Sequence, residues 1–208
     1  QMRRDFVANV SHDLRTPLTR MRLAVDMMDD DESANDLTQD IVEMEQMLAT
    51  FLDFARLDAD AEKESVDLMA LVQSSVDKFV RSGHSVQFNS SEDNACIRAQ
   101  PVALSRALEN LISNAVRYGT LAKIAVMSEP NRIRLMVEDD GPGIPANQRA
   151  AAENPFSRLA PARNQDSGSG VGLGLAITKD IARRHGGQLI LGESQDLGGL
   201  AAEISLPR

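Results

Sequence analysis

The heptapeptide Ser11-His12-Asp13-Leu14-Arg15-Thr16-Pro17 sits in a run whose apolar residues, Val7, Val10, Leu14, Leu18, Met21, Val25 and Met28, recur in steps of three and four. That is the period of a helix carrying one apolar stripe. A second stripe, Leu37, Ile41, Met44, Leu48, Phe51 and Ala55, follows the acidic run Asp29-Asp30-Asp31-Glu32. The acidic run reads as a solvated turn, and Ser33 or Asn35 is placed to cap the second helix. Residues 1–62 are therefore expected to form an all-α antiparallel helical hairpin. Two helices cannot enclose a core, so the expected solution is a homodimer with a four-helix bundle. The competing arrangement packs the hairpin on the rest of its own chain.

Within this frame His12 stands out. It follows the stripe residue Val10 by two positions, about 200° around the helix, and so points away from the apolar seam. Asp13 is its neighbour and Thr16 lies one turn along the same face. A neutral imidazole is a competent nucleophile near neutral pH, and an adjacent carboxylate can hold or take the proton of the other ring nitrogen. Pro17 supplies no N–H, so a bend is expected beside His12.

From about Ser65 the texture changes to mixed helix and strand. Helices are expected over 67–81, 101–118 and 172–185, with Pro101 at a first turn. Strands are expected over 85–89, 95–99, 121–127, 132–138, 188–193 and 200–206, with Glu129-Pro130-Asn131 as a turn. The expected architecture for 66–208 is an α+β sandwich, helices on one face of a mainly antiparallel sheet. A loop rich in Gly, Pro, Ser, Asn and Ala covers roughly 141–170. So long a loop in a compact domain needs a task, and its place between two glycine motifs suggests a nucleotide lid.

Three segments in this second block carry chemistry. Asn110 and Asn114, four apart on one helix, present two oxygen donors on one face, the ligand type that Mg²⁺ takes together with waters and substrate phosphates. Asp139-Asp140-Gly141-Pro142-Gly143-Ile144 ends a strand, and its glycines let backbone approach a ligand closely. Gly168-Ser169-Gly170-Val171-Gly172-Leu173-Gly174 opens a helix, the arrangement that offers backbone N–H groups to phosphates. The glycine run lacks the strand and parallel β-α-β setting of a dinucleotide fold.

The composition narrows the field. A net charge of −9 on 208 residues argues against nucleic acid or anionic lipid as general partners. No run approaches the roughly 20 apolar residues that span a bilayer, and no secretory signal opens the chain. The chain starts inside a helical pattern, so an upstream part is expected beyond it. The single cysteine, Cys96, forms no internal disulfide and reads as a small buried apolar residue. His84 and His185 sit near a turn and a helix end without partners at ligand spacing, which speaks against a metal site.

Ser-His-Asp-Leu-Arg-Thr-Pro-Leu-Thr-Arg resembles the H-box of bacterial sensor histidine kinases, closest to the EnvZ-type osmosensors. Leu108 to Tyr118 resembles their N-box, Asp139 to Ile144 their G1 box, Gly168 to Ile177 their G2 box, and Asn154-Pro155-Phe156-Ser157-Arg158 their F-box. The resemblance covers essentially the whole chain. It implies a dimerisation and phosphotransfer hairpin (1–62) followed by an ATP-binding domain (66–208) of the type shared with gyrase, Hsp90 and MutL. It implies ATP and Mg²⁺, with His12 as the phosphorylated residue and Asp13 and Thr16 beside it in catalysis. Asn114 becomes the main Mg²⁺ ligand with Asn110 in support, Arg117 a neutraliser of phosphate, and Tyr118 a contact of the nucleotide. Asp139 accepts the adenine amino group, with Gly141, Gly143 and Ile144 around it. Phe156 and Arg158 belong to the lid, and Gly170, Val171, Gly172, Leu173 and Gly174 to the phosphate loop. Ala150-Ala151-Ala152 departs from the bulkier apolar residues usual before the F-box, so a loosely held lid is expected. The implied partners are a second copy of the chain and an OmpR-like response regulator, which such a kinase also dephosphorylates. The implied location is cytoplasmic for this segment, within a parent protein of the bacterial inner membrane. Transfer in cis or in trans stays open. Two rivals remain: an ATPase or serine kinase of the same ATP-binding superfamily, which has no reason to carry the H-box, and a phosphotransfer scaffold with a dead nucleotide domain, which predicts loss of Asn114, Asp139 or the glycines.

Overall fold

The computed structural model describes residues 62–90, 95–155, 157 and 172–208, together with Arg20, Met21, Val25, Leu37, Thr38, Ile41, Val42, Met44 and Glu45, all nine helical. His12, Asp13, Thr16, Phe156, Arg158, Gly170 and Val171 lie outside the described residues, as do the expected caps Ser33 and Asn35. Two compact units divide the chain, and the larger takes in 59–167 and 174–208. Among the described residues no helix is long and apolar enough to cross a membrane.

In the larger unit the order is β1 (Glu64–Asp67), α1 (Leu68–Arg81), β2 (Val86–Phe88), β3 (Cys96–Ala99), α2 (Pro101–Tyr118), β4 (Ala122–Glu129), β5 (Arg132–Asp139), α3 (Ala146–Ala152), α4 (Gly174–Arg184), β6 (Gln188–Glu193) and β7 (Leu200–Pro207). Five strands form one sheet in the order β2-β4-β5-β7-β6, and β1 pairs with β3 in a separate two-stranded sheet. The β2–β4 pair is parallel and the other pairs are antiparallel.

Each element has a local cause. Asp67 caps α1, its Oδ1 accepting from the N–H groups of Met69 (2.9 Å) and Ala70 (3.3 Å). Helix α2 starts with Pro101 and buries Ala103, Leu104, Ala107, Leu108, Leu111, Ile112 and Ala115, spaced three and four apart. The last turn of α4 carries Arg183 and Arg184, which suit the negative helix end, and Gly186 follows at φ 79°. Strands β4, β5 and β7 turn Ala122, Ile124 and Val126, then Ile133, Leu135 and Val137, then Ala202, Ile204 and Leu206 into the core. Burying each Leu or Ile stabilises the fold by about 1.5–3 kcal/mol.

The expected sandwich is thus present, with one parallel pair at the edge of its sheet. Four details differ. Glu64–Asp67 is a strand that periodicity does not announce, because Val66 alone of its four residues is buried. Asp67 is the cap of α1 rather than its first residue. The loop expected over 141–170 contains a seven-residue helix, Ala146–Ala152. Cys96 is exposed rather than buried, because the alternation of β3 turns Ile97 and Ala99 inward instead.

Candidate functional site

Strand β5 ends on Asp139, which is 4% exposed. Its Oδ1 accepts the N–H of Gly141 (2.9 Å) and of Leu200 (3.0 Å). Oδ2 has no hydrogen-bond partner among the described residues. Burial raises the Asp139 pKa above the usual carboxylate range; the two N–H groups oppose that shift, and the neighbouring Asp140 adds to it. A buried carboxylate with one saturated and one open oxygen is a ready acceptor for a ligand N–H.

The surrounding backbone comes close because it is glycine. A Cβ on Gly141 would lie 2.7 Å from the Tyr118 carbonyl oxygen, and one on Gly199 would lie 2.3 Å from the Asp139 carbonyl oxygen. Gly143 has φ 66°, the left-handed conformation that favours glycine. The carbonyl of Ile144, next along, accepts from Arg149 Nε of α3 (3.0 Å).

Helix α2 brings Asn110 and Asn114 to the start of α4. Asn110 Nδ2 reaches the Gly174 carbonyl at 3.5 Å, the long limit of a hydrogen bond. Asn114 Oδ1 lies 3.9 Å from where a Cβ on Gly174 would stand. Both amides are half-buried and face the same junction, as their spacing predicts. Among the described residues no three His, Cys, Asp or Glu side chains group as a metal site. A cation held here would therefore take amide oxygens and complete its shell from a ligand, which suits Mg²⁺. Arg117 stands over the ring of Tyr118, 5.8 Å from its centroid, and that ring is 54% exposed at the end of α2. Gly172, at φ 70°, and Leu173 lead directly into α4, which Gly174 opens. At the far side of α3, Glu153 pairs with Lys179 of α4 (2.8 Å).

Several residues of this site are not singled out by sequence reasoning. Asp140 Oδ1 accepts the N–H of Thr120 (2.6 Å) and Leu121 (2.9 Å), and its Oδ2 accepts the Thr120 hydroxyl (2.5 Å). Those bonds, the hydroxyl's first, hold its pKa down at about 2. Leu200, the first residue of β7, supplies its N–H to the Asp139 carboxylate, and the β6–β7 connection supplies Gly199 N–H to the Asp139 carbonyl (3.1 Å). Ser194 Oγ donates to Glu138 Oε1 (2.8 Å) and accepts Leu197 N–H (3.0 Å), fixing that connection. The only signal for it in the sequence is the pair Gly198-Gly199. His185, set aside as a ligand, is a buried structural group: Nε2 accepts Gln100 N–H (3.0 Å) and Nδ1 meets the Ile181 carbonyl (2.8 Å).

The family model described as "Histidine kinase-, DNA gyrase B-, and HSP90-like ATPase" matches residues 99–208, and that described as "His Kinase A (phospho-acceptor) domain" matches 2–60. The sensor histidine kinase GtrS of Pseudomonas aeruginosa is 35% identical over 96% of this chain and 41% of its own length. The signal transduction histidine-protein kinase/phosphatase MprB of Mycolicibacterium vanbaalenii is 30% identical over 97% of this chain and 46% of its own. The chain thus spans less than half the length of these two relatives. Among solved structures, the histidine kinase domain of the Escherichia coli osmosensor EnvZ superposes with a TM-score of 0.55 at 36% identity, covering 71% of this chain and 90% of that one.

Proposed function

The chain belongs to the sensor histidine kinase family, and from that premise we propose that it binds Mg·ATP between α2, β5 and α4 and transfers the γ-phosphoryl group to His12. The observation that carries this reading is the buried Asp139 carboxylate with its open Oδ2 at the end of β5. Adenine offers an exocyclic amine to such an acceptor where guanine offers a carbonyl, so the site favours ATP over GTP. Gly141, Gly143 and Ile144 line the base, and Tyr118 lies against it. Asn114, with Asn110 in support, would hold Mg²⁺, which would neutralise charge on the phosphate oxygens when bound. Arg117 adds a cation, Phe156 and Arg158 cover the nucleotide from the lid, and the run Gly170-Val171-Gly172-Leu173-Gly174 gives backbone N–H groups to the phosphates.

His12 attacks the γ-phosphorus as a neutral imidazole; the nitrogen–phosphorus bond forms as the bond to the ADP oxygen breaks. Asp13 holds or takes the proton of the other ring nitrogen. The phosphoryl group then passes to an aspartate of a response regulator of the OmpR-like type. The catalytic domain, on this reading, is 66–208 and the phosphotransfer hairpin is 1–62. Dimerisation is supported by Met21, Leu37 and Met44, stripe residues that stay 44–50% exposed in the single chain. The parent protein belongs in the bacterial inner membrane, with this segment on the cytoplasmic side.

A second activity is favoured by the name of MprB, kinase/phosphatase. Thr16, one turn from His12, positions a water that hydrolyses the regulator's aspartyl phosphate.

Incubation with γ-labelled ATP and Mg²⁺ tests the first reading against His12→Ala. Label that persists without His12, or resists acid as a phosphoserine does, sinks it. For the second, Thr16→Ala should leave labelling intact and slow dephosphorylation of the regulator; equal loss of both counts against it.

A further inference from the structure

Asp139 and Asp140 are adjacent but differently placed: Asp139, the last residue of β5, is buried at the open pocket, and Asp140, in the bend that follows, is exposed and reaches across to Thr120 and Leu121. We propose that Asp140 is a positioning residue for the nucleotide, clamping the exit of α2 to the end of β5 so that Asn114 and Tyr118 keep their spacing from Asp139. This rests on the nucleotide reading above. Through Oδ1 and Oδ2 the one carboxylate takes Thr120 N–H, Leu121 N–H and the Thr120 hydroxyl.

The two joined segments are cut to fit. Pairing of Ala122 with Asp139 already fixes β4 on β5, but Gly119 and Thr120 lie before that register begins. Gly119 has a nearly flat ψ of −178°, and its N–H still reaches back to Ala115 O (2.8 Å). A Cβ on it would stand 2.5 Å from Asp140 Oδ1, and a Cβ on Gly141 would stand 2.7 Å from Tyr118 O. Each glycine therefore leaves room for the other segment. The clamp sits at the point where the helix bearing the amides meets the strand bearing the carboxylate. Loosening it frees Tyr118 and the last turn of α2 to drift from the base-binding end, which weakens binding without touching the transferred phosphoryl group.

The test is calorimetric titration of a non-hydrolysable ATP analogue with Mg²⁺ into the full chain, at a temperature where every variant is folded. Asp140→Ala should bind about tenfold more weakly, and Thr120→Val about threefold, since one of three hydrogen bonds is lost. Thr120→Ser keeps the hydroxyl and should match the parent chain. Asp140→Asn keeps an oxygen for both N–H groups and should stay within about threefold. In labelling kinetics Asp140→Ala should raise the KM for ATP while the rate at saturation changes less than about twofold, the pattern of lost uniform binding. Parent-like affinity in folded Asp140→Ala would overturn the clamp. So would an Asp140→Asn as weak as Asp140→Ala, which would assign the effect to charge. If the parent chain itself binds no ATP analogue, the nucleotide reading fails instead. Hydrogen exchange then decides the clamp alone: Thr120 and Leu121 amides should exchange about tenfold faster in Asp140→Ala, and unchanged rates would overturn it.

Discussion

The two ends of α2 meet the same need with different chemistry. At its start, Gln100 has no side-chain cap, and its N–H is taken by a buried imidazole, His185 Nε2. That acceptor exists only in the neutral tautomer with the proton on Nδ1, which donates to the Ile181 carbonyl. At its exit, the N–H groups of Thr120 and Leu121 are taken by an exposed carboxylate. Burial lowers the His185 pKa from 6.5, with the Ile181 carbonyl opposing that shift and Lys63 nearby adding to it, so this end is pinned by a group that stops accepting once it takes a proton. The other end is pinned by a carboxylate whose pKa is held down at about 2 and which goes on accepting as an anion. The end beside the Asp139 pocket is held by the group that stays ionised.

The largest effect is expected in the pocket beside the exit of α2: Asp139→Ala removes its acceptor and leaves the N–H groups of Gly141 and Leu200 without it, and ATP affinity should fall about a hundredfold by calorimetry. At the opposite end, His185→Ala orphans Gln100 N–H, and urea unfolding should show a loss of about 1–3 kcal/mol. Its affinity for ATP should change less than about twofold, because the exit of α2 keeps its clamp. A loss of affinity in His185→Ala equal to that in Asp140→Ala would erase the distinction between the ends.

The pH dependence sharpens it. With its folded pKa below the unfolded 6.5, His185 binds its proton more readily in the unfolded chain. Stability should therefore fall as pH drops through 6.5 toward the lower folded value. Gln at 185 can still accept the Gln100 N–H but does not titrate, so unfolding curves of His185→Gln should be flatter over that interval. The smallest effect is expected at the ion pair between Glu153 and the half-exposed Lys179: Glu153→Gln should cost less than about 1 kcal/mol in thermal unfolding.

How much of this was legible follows from range. Helix α2, the strand ending on Asp139 and the glycine-led start of α4 declare themselves through periodicity and glycine within about twenty residues. Strand β1 does not, because Ser65 and Asp67 flank its single buried side chain, Val66, and its pairing with β3 is set about thirty residues away. Helix α3 is hidden between Pro145 and the polar turn after Ala152, in a composition that reads as loop. The grip of Leu200 on Asp139 spans 61 positions and uses a backbone N–H, which no residue type advertises. Asp140 stands inside a recognised motif, but its carboxylate takes its direction from the bend after β5, which the motif alone does not specify.

The most direct measurement is peptide-level mapping of phosphate on the full chain after incubation with Mg²⁺ and ATP, under alkaline conditions that preserve phosphohistidine. The account predicts one phosphoryl group on the peptide carrying His12, and strongly reduced labelling in Asp139→Ala at low ATP. Phosphate on a serine or threonine instead, or undiminished labelling in Asp139→Ala, would contradict it.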